Sequence, residues 1–224
     1  LHCALLCHHS LYHHCTITAG CVLDAASFGG AVMTGGGAVT NTARVRVGDT
    51  VAVVGLGGVG LNALLGAKLG GAERIIAVDI SDEKLGLARQ LGATDTFNAS
   101  DADCVSEIVE ATKGGVDFAI ETAGAIAAME TCYAILRTGG RVIAAGLPPA
   151  KSDFSFKPAQ LVGEERGLLG STMGSCVPVR DIPRYISLYR QGRLPVDRLI
   201  DARIGFEDIN AGFDRVTDGA VERQ

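Results

Sequence analysis

The residues with the clearest chemical content are glycines. A β-branched run, Val51–Ala52–Val53–Val54, leads into Gly55–Leu56–Gly57–Gly58–Val59–Gly60, where Gly55, Gly57 and Gly60 fit G-x-G-x-x-G. That spacing suits a dinucleotide diphosphate. Gly55 lets the chain turn tightly off a strand, Gly57 lets backbone approach the phosphates, and Gly60 lets the next helix pack close to the strand. Leu56, Gly58 and Val59 complete the cofactor-binding loop. The helix beyond presents free N–H groups and the positive end of its dipole. In a chain with 30 glycines the motif is weak alone, so its surroundings decide. Leu61, Leu64, Leu65 and Leu69 form one helical face, Gly70–Gly71 stops it, and Ile75–Ile76–Ala77–Val78 then ends in Asp79. An acid about 20 residues past the fingerprint, closing the second strand, suits the ribose diol of NAD and repels the extra phosphate of NADP.

Other chemical residues are less well placed. All five histidines (His2, His8, His9, His13, His14) and four of the seven cysteines (Cys3, Cys7, Cys15, Cys21) fall in the first 23 residues. A Cys/His tract suggests zinc. Adjacent His8–His9 and His13–His14, however, lack the separated ligand pairs of a structural finger. We read a poorly ordered tail, or sequence foreign to the fold such as an out-of-frame start, in preference to a metal site. Glu121, closing a strand on the ligand side of the sheet, and Glu73 are isolated acids. One carboxylate with no partner His, Ser or Tyr is not a catalytic set. Cys104, Cys132 and Cys176 lack the basic neighbours that activate a nucleophile and read as structural thiols. No catalytic residue is assigned.

The elements that must position these residues alternate. Phe28–Ala43 reads as a helix interrupted near Gly35–Gly36–Gly37, since three consecutive glycines cost about 2–3 kcal/mol of helix propensity against alanine. Past Asp79, Ser81 caps a helix with Asp82–Glu83 in its first turn. Thr94–Asn98, Val116–Glu121, Gly140–Ala145 and Arg166–Met173 read as strands. Val105–Thr112, Ile126–Leu136, Asp181–Gln191 and Glu207–Val216 read as helices, and Pro148–Pro149 as a break. Repeated βα units with short connections imply an α/β fold, a doubly wound parallel sheet of the Rossmann type. We divide the chain into an irregular tail (1–24), the dinucleotide-binding core (25–174) and C-terminal helices and strands that complete it (175–224).

Composition sets outer bounds. The 224 residues are 47% hydrophobic and 20% charged, enough for one good core. A net charge of −5 gives no general attraction to nucleic acid or an anionic membrane. No apolar run reaches the ~18 residues of a membrane span. The odd cysteine count and the lack of a secretory signal point to reduced thiols in a cytoplasmic protein. The chain starts at Leu rather than Met, so a fragment or trimmed chain is expected.

Several stretches together resemble the medium-chain dehydrogenase/reductase superfamily. They are Thr34–Gly35–Gly36–Gly37–Ala38, Gly48–Asp49–Thr50–Val51, the Gly55–Gly60 loop, Val78–Asp79–Ile80 and Leu91–Gly92–Ala93–Thr94. Gly139–Gly140–Arg141, Gly170–Ser171–Thr172–Met173–Gly174, Gly192–Arg193–Leu194 and Asp208–Ile209–Asn210–Ala211–Gly212–Phe213 match as well. The resemblance covers about Ala25 to Thr217. It is greatest to the zinc-dependent alcohol dehydrogenases, including the class related to glutathione-dependent formaldehyde dehydrogenase.

The resemblance implies a nucleotide domain that sits behind a GroES-like catalytic domain, of which only a remnant is here. Two of the three catalytic zinc ligands, the proton-relay residues and the structural-zinc cysteines would lie before Leu1. The third ligand is a cysteine four residues before the Thr of the T-G-x-G-A motif, and that place is Gly30. It further implies that Asp79 takes the adenosine ribose hydroxyls, that Thr34 lies near the nicotinamide, and that backbone around Ala145, Leu147 and Met173 meets the carboxamide. Lys84 is either a basic residue near the same ribose or a solvated helix lysine. Arg223 is either a pyrophosphate ligand or a frayed terminal arginine. The strand near Gly170–Met173 is the expected edge of a homodimer.

The expected function is hydride transfer between a small alcohol or aldehyde and NAD, with this chain as the NAD-binding portion, without its own catalytic zinc. A non-catalytic dinucleotide-binding remnant, an interaction module, and a zinc-free quinone or enoyl reductase-like member of the same superfamily stay open.

Overall fold

The computed structural model describes residues 26–200 and 204–217; the Cys/His tract and Arg223 lie outside the described residues. Six strands make one parallel sheet: β1 (Thr50–Val54), β2 (Arg74–Asp79), β3 (Asp95–Asn98), β4 (Val116–Glu121), β5 (Leu136–Ala144) and β6 (Gly167–Gly170), in the order β3-β2-β1-β4-β5-β6. The chain winds outward from β1 in one direction to β3, crosses back, and winds outward in the other direction from β4 to β6. This is the doubly wound sheet expected, and its order reverses between β1 and β4. Both faces are covered, which is why the central strands read as unbroken apolar runs: Val51 to Val54 and Ile75 to Val78 are all buried.

One apolar layer lies between the sheet and α1 (Val32–Gly36), α2 (Ala38–Ala43), α3 (Gly58–Gly70), α4 (Asp82–Leu91) and α8 (Pro178–Arg190). The other lies under α5 (Cys104–Ala111) and α6 (Ile126–Ala134). A short helix α7 (Pro158–Gly163) precedes β6, and α9 (Ile209–Thr217) follows a 3₁₀ turn at Phe206–Asp208. Full burial of Leu61, Leu64, Ile76 and Ile120 contributes on the order of 1.5–3 kcal/mol per side chain.

Three expectations need correction, and one element was not foreseen. The helix over 28–43 is not interrupted at Gly35–Gly37. Gly37 keeps helical dihedrals (φ −70, ψ −35), and α1 and α2 run through it with π-type turns. Packing overrides propensity there. A Cβ on Gly35 would collide with the Val59 carbonyl and come within 2.7 Å of Ala63 N, so the glycine is what allows α1 to sit directly on α3. The helix expected to Leu136 ends at Ala134, and β5 starts at Leu136 instead, with an irregular register against β4 between Val116 and Phe118. The strand expected over Arg166–Met173 stops at Gly170, because Met173, Gly174 and Ser175 turn left-handed (φ 50, 66 and 49). The stretch after Pro148–Pro149 includes α7, which buries no residue and so carries no apolar period to read.

Candidate functional site

The register of the sheet sets the site. Val54 pairs with Val78 on one side and Glu121 on the other, Glu121 with Ala144, and Ala144 with Gly170. These five residues form a level line across the carboxyl ends of the strands. The next residue on each strand is Asp79, Gly55, Thr122, Ala145 and Ser171, along about 19 Å of edge at the usual ~4.8 Å strand spacing.

At β1 the chain leaves through Gly55, whose φ of +93 a side chain would strain. Gly55 N donates to Val78 O at 2.8 Å, which ties the turn to β2. A Cβ on Gly60 would run into the Gly55 carbonyl, so Gly60 brings the first turn of α3 against the strand end. Gly57 is the N-cap of α3, extended and without a side-chain cap. The first N–H groups of a helix have no intrahelical partner. Here no side chain caps them, and Gly57, Gly58 and Val59 beside them are half-exposed.

Asp79 sits next to this loop. Its Oδ2 accepts from Leu56 N at 2.6 Å and its Oδ1 from Ser81 N at 3.0 Å. The carboxylate therefore holds the glycine turn itself, and each oxygen keeps a lone pair for a hydroxyl. Lys84 is half-buried in the first turn of α4, where its N–H meets the capping Ser81 Oγ at 3.4 Å.

On the other side of β1, Thr122 Oγ1 donates to Gly55 O at 2.6 Å. Glu121 is wholly buried; its Oε1 accepts from Gly124 N at 2.7 Å, and its carbonyl accepts from Ala145 N and Gly146 N. Burial pushes its carboxyl above the usual range, against the lowering pull of backbone N–H groups at Gly124, Ala123, Ala125 and Gly146. It is a brace between the loops after β4 and β5. Farther along, Thr34 Oγ1 reaches Met173 Sδ at 4.0 Å. Ile80, Leu147 and Met173 stand 73%, 93% and 43% exposed, which leaves apolar surface at the same edge that rings can cover.

The edge thus brings together Gly55 through Gly60, Asp79, Ala145, Leu147, Met173 and Thr34, with Lys84 one helical turn away. Glu73 is exposed at the opposite end of β2 and takes no part. Sequence reasoning missed Thr122 as a lock on the Gly55 turn; its place directly after an apolar strand was the available signal. Burial lifts the thiols of Cys104, Cys132 and Cys176 above their ordinary range, the reverse of activation.

A bare glycine cradle, an uncapped helix start and an acceptor at the neighbouring strand end fit a dinucleotide. The described residues do not fit a catalytic zinc. Gly30 has no donor side chain, and no three His, Cys, Asp or Glu converge among the described residues.

Comparisons with known proteins agree with this geometry. A family model described as zinc-binding dehydrogenase matches residues 58–191, more than half of the chain. The S-(hydroxymethyl)glutathione dehydrogenase of Paracoccus denitrificans is 37% identical over 191 residues, covering 82% of this chain and 51% of its own length. The solved benzyl alcohol dehydrogenase of Acinetobacter calcoaceticus superposes with a TM-score of 0.85 at 35% identity, over 89% of this chain and 55% of that one. A Sinorhizobium meliloti protein described as a zinc-binding dehydrogenase, solved with NADP bound, has a TM-score of 0.75 at 27% identity, over 83% of this chain and 54% of that one. The chain spans about half the length of the curated relatives it matches.

Proposed function

We propose, because this chain belongs to the zinc-binding dehydrogenase family, that it is the NAD-binding portion of an alcohol dehydrogenase-type oxidoreductase. The observation that carries this reading is the level line of strand ends, with the glycine turn at β1 and Asp79 beside it at β2. Gly57 and the start of α3 would hold the diphosphate, and Asp79 the adenosine ribose. Lys84 flanks that ribose, and Arg223 is assigned to the pyrophosphate. Ala145, Leu147, Met173 and Thr34, beyond β4 and β5, would meet the nicotinamide half. Bound NAD supplies the hydride acceptor for a small alcohol, or NADH the donor for an aldehyde. The chain's own residues would orient the ring. The two relatives named for alcohol-type substrates support that class.

Asp79 favours NAD over NADP, since its carboxylate accepts ribose hydroxyls and repels a 2′-phosphate. The Sinorhizobium protein was solved with NADP, so membership of the family leaves the choice open and Asp79 carries it. Gly30 supplies no metal ligand, so zinc chemistry would need donors from outside the described residues. For assembly we propose a homodimer through β6, one of the two edge strands of the sheet, where Leu168 and Leu169 are exposed. No helix among the described residues is long and apolar enough to cross a membrane. The cytoplasm remains the proposed location, on the cysteine argument.

The test is a fluorescence titration with both reduced cofactors. NADH should bind at least about tenfold tighter than NADPH, a difference of ~1.4 kcal/mol. Equal or tighter NADPH would overturn the assignment to NAD.

A further inference from the structure

Past β6 the chain makes a turn that its residues do not favour. Met173, Gly174 and Ser175 are all left-handed, with φ of 50, 66 and 49. For Met173 and Ser175 this conformation is strained, and such strain persists only where the surroundings over-determine it. Here they do so through α2. The Thr42 hydroxyl pairs with Ser171 Oγ at 2.8 Å, before the turn, and with Ser175 Oγ at 2.9 Å, at its end. Asn41 Nδ2 donates to Gly174 O at 3.2 Å in the middle. Gly174 is pressed so closely on α1 that a Cβ there would collide with the Met33 carbonyl. One threonine therefore staples both ends of a strained turn, and Met173 projects from the turn toward Thr34.

We infer that Thr42 is a positioning residue for the nicotinamide half of the dinucleotide. It holds the turn at Met173–Ser175 in the shape that receives that half. This rests on the proposed function, because only a dinucleotide anchored at Asp79 and Gly57 sends its second half along the edge toward this turn. The adenosine and diphosphate sites, on β1 and β2, are several strands away. Thr42 should not matter to them.

The experiment compares two ligands on the full chain: NADH, and ADP-ribose, which lacks the nicotinamide. Thr42→Val keeps the shape and removes the hydroxyl. It should weaken NADH about tenfold and leave ADP-ribose within about twofold, and Thr42→Ser should restore NADH binding. Ser175→Ala removes one staple at an exposed position, so it tests the same point if the valine variant fails to fold; a smaller loss, again confined to NADH, is expected. Unchanged NADH affinity in both variants, or a parallel loss of both ligands, would overturn the inference. A wild-type chain that binds neither ligand would overturn the functional reading beneath it, which is a distinct result.

Discussion

Asp79 does two things at once. It closes β2 where a ribose diol would lie, and it accepts from Leu56 N, so the acid proposed to select the cofactor also holds the glycine turn. Asp79→Asn keeps an acceptor for Leu56 N and removes the charge. The NADH preference over NADPH should then fall by about tenfold or more in paired titrations, with the melting temperature little changed. An unchanged preference would mean that selectivity lies elsewhere. At this scale the sequence was most legible: Gly55, Gly60 and Asp79 stand where spacing put them, because each answers a local backbone demand. Thr122 and Thr42 were not legible. Their roles are hydrogen bonds across 67 and 129 residues of chain, which no local pattern records. Gly30 was legible only through the family resemblance.

Elements followed the same rule. Strands β1, β2 and β4 were readable as apolar runs because both sheet faces are covered. The continuity of α1 into α2 was not, since intrinsic propensity argues for a break at three glycines and the contact with α3 decides otherwise. Helix α8 starts earlier than its apolar period, at Pro178, and Asp181 explains the start. Its Oδ2 accepts from Val177 N at 2.8 Å, and its side chain is nearly buried beneath Arg180 and Arg184. The hydrogen-bonded Arg180 guanidinium, with Val177 N–H and Arg184, holds its carboxyl down to about 2. A depressed carboxylate stabilises the fold fully above its unfolded value, and that stability is lost as pH falls toward 2. Wild type should therefore exceed Asp181→Asn in the unfolding free energy measured in urea at pH 7, by on the order of 1 kcal/mol once the solvent exposure of both arginines is allowed for. The gap should close between pH 4 and pH 2. A gap independent of pH would show that the charge is not the cause.

For the whole molecule, the doubly wound order could be inferred from alternating elements, while the levelling of five strand ends into one site emerges only from the register. Two consequences follow at this scale. The first concerns metal. A catalytic zinc needs about three converging protein ligands with one open position, and the described residues offer none at Gly30. The chain, purified and mildly chelated, should retain no stoichiometric zinc and should not reduce NAD with simple alcohols; one-to-one zinc together with turnover would contradict this. The second concerns the turn at Gly55–Gly60, proposed as the place where a dinucleotide binds. Gly57→Val tests it most directly, because a side chain there stands where the diphosphate must approach backbone. The measurement is NADH affinity by fluorescence titration, with a melting curve on the same sample to show that the variant is folded. A loss of at least about a hundredfold, ~2.8 kcal/mol, is expected in a folded variant. Wild-type affinity in that folded variant would contradict it.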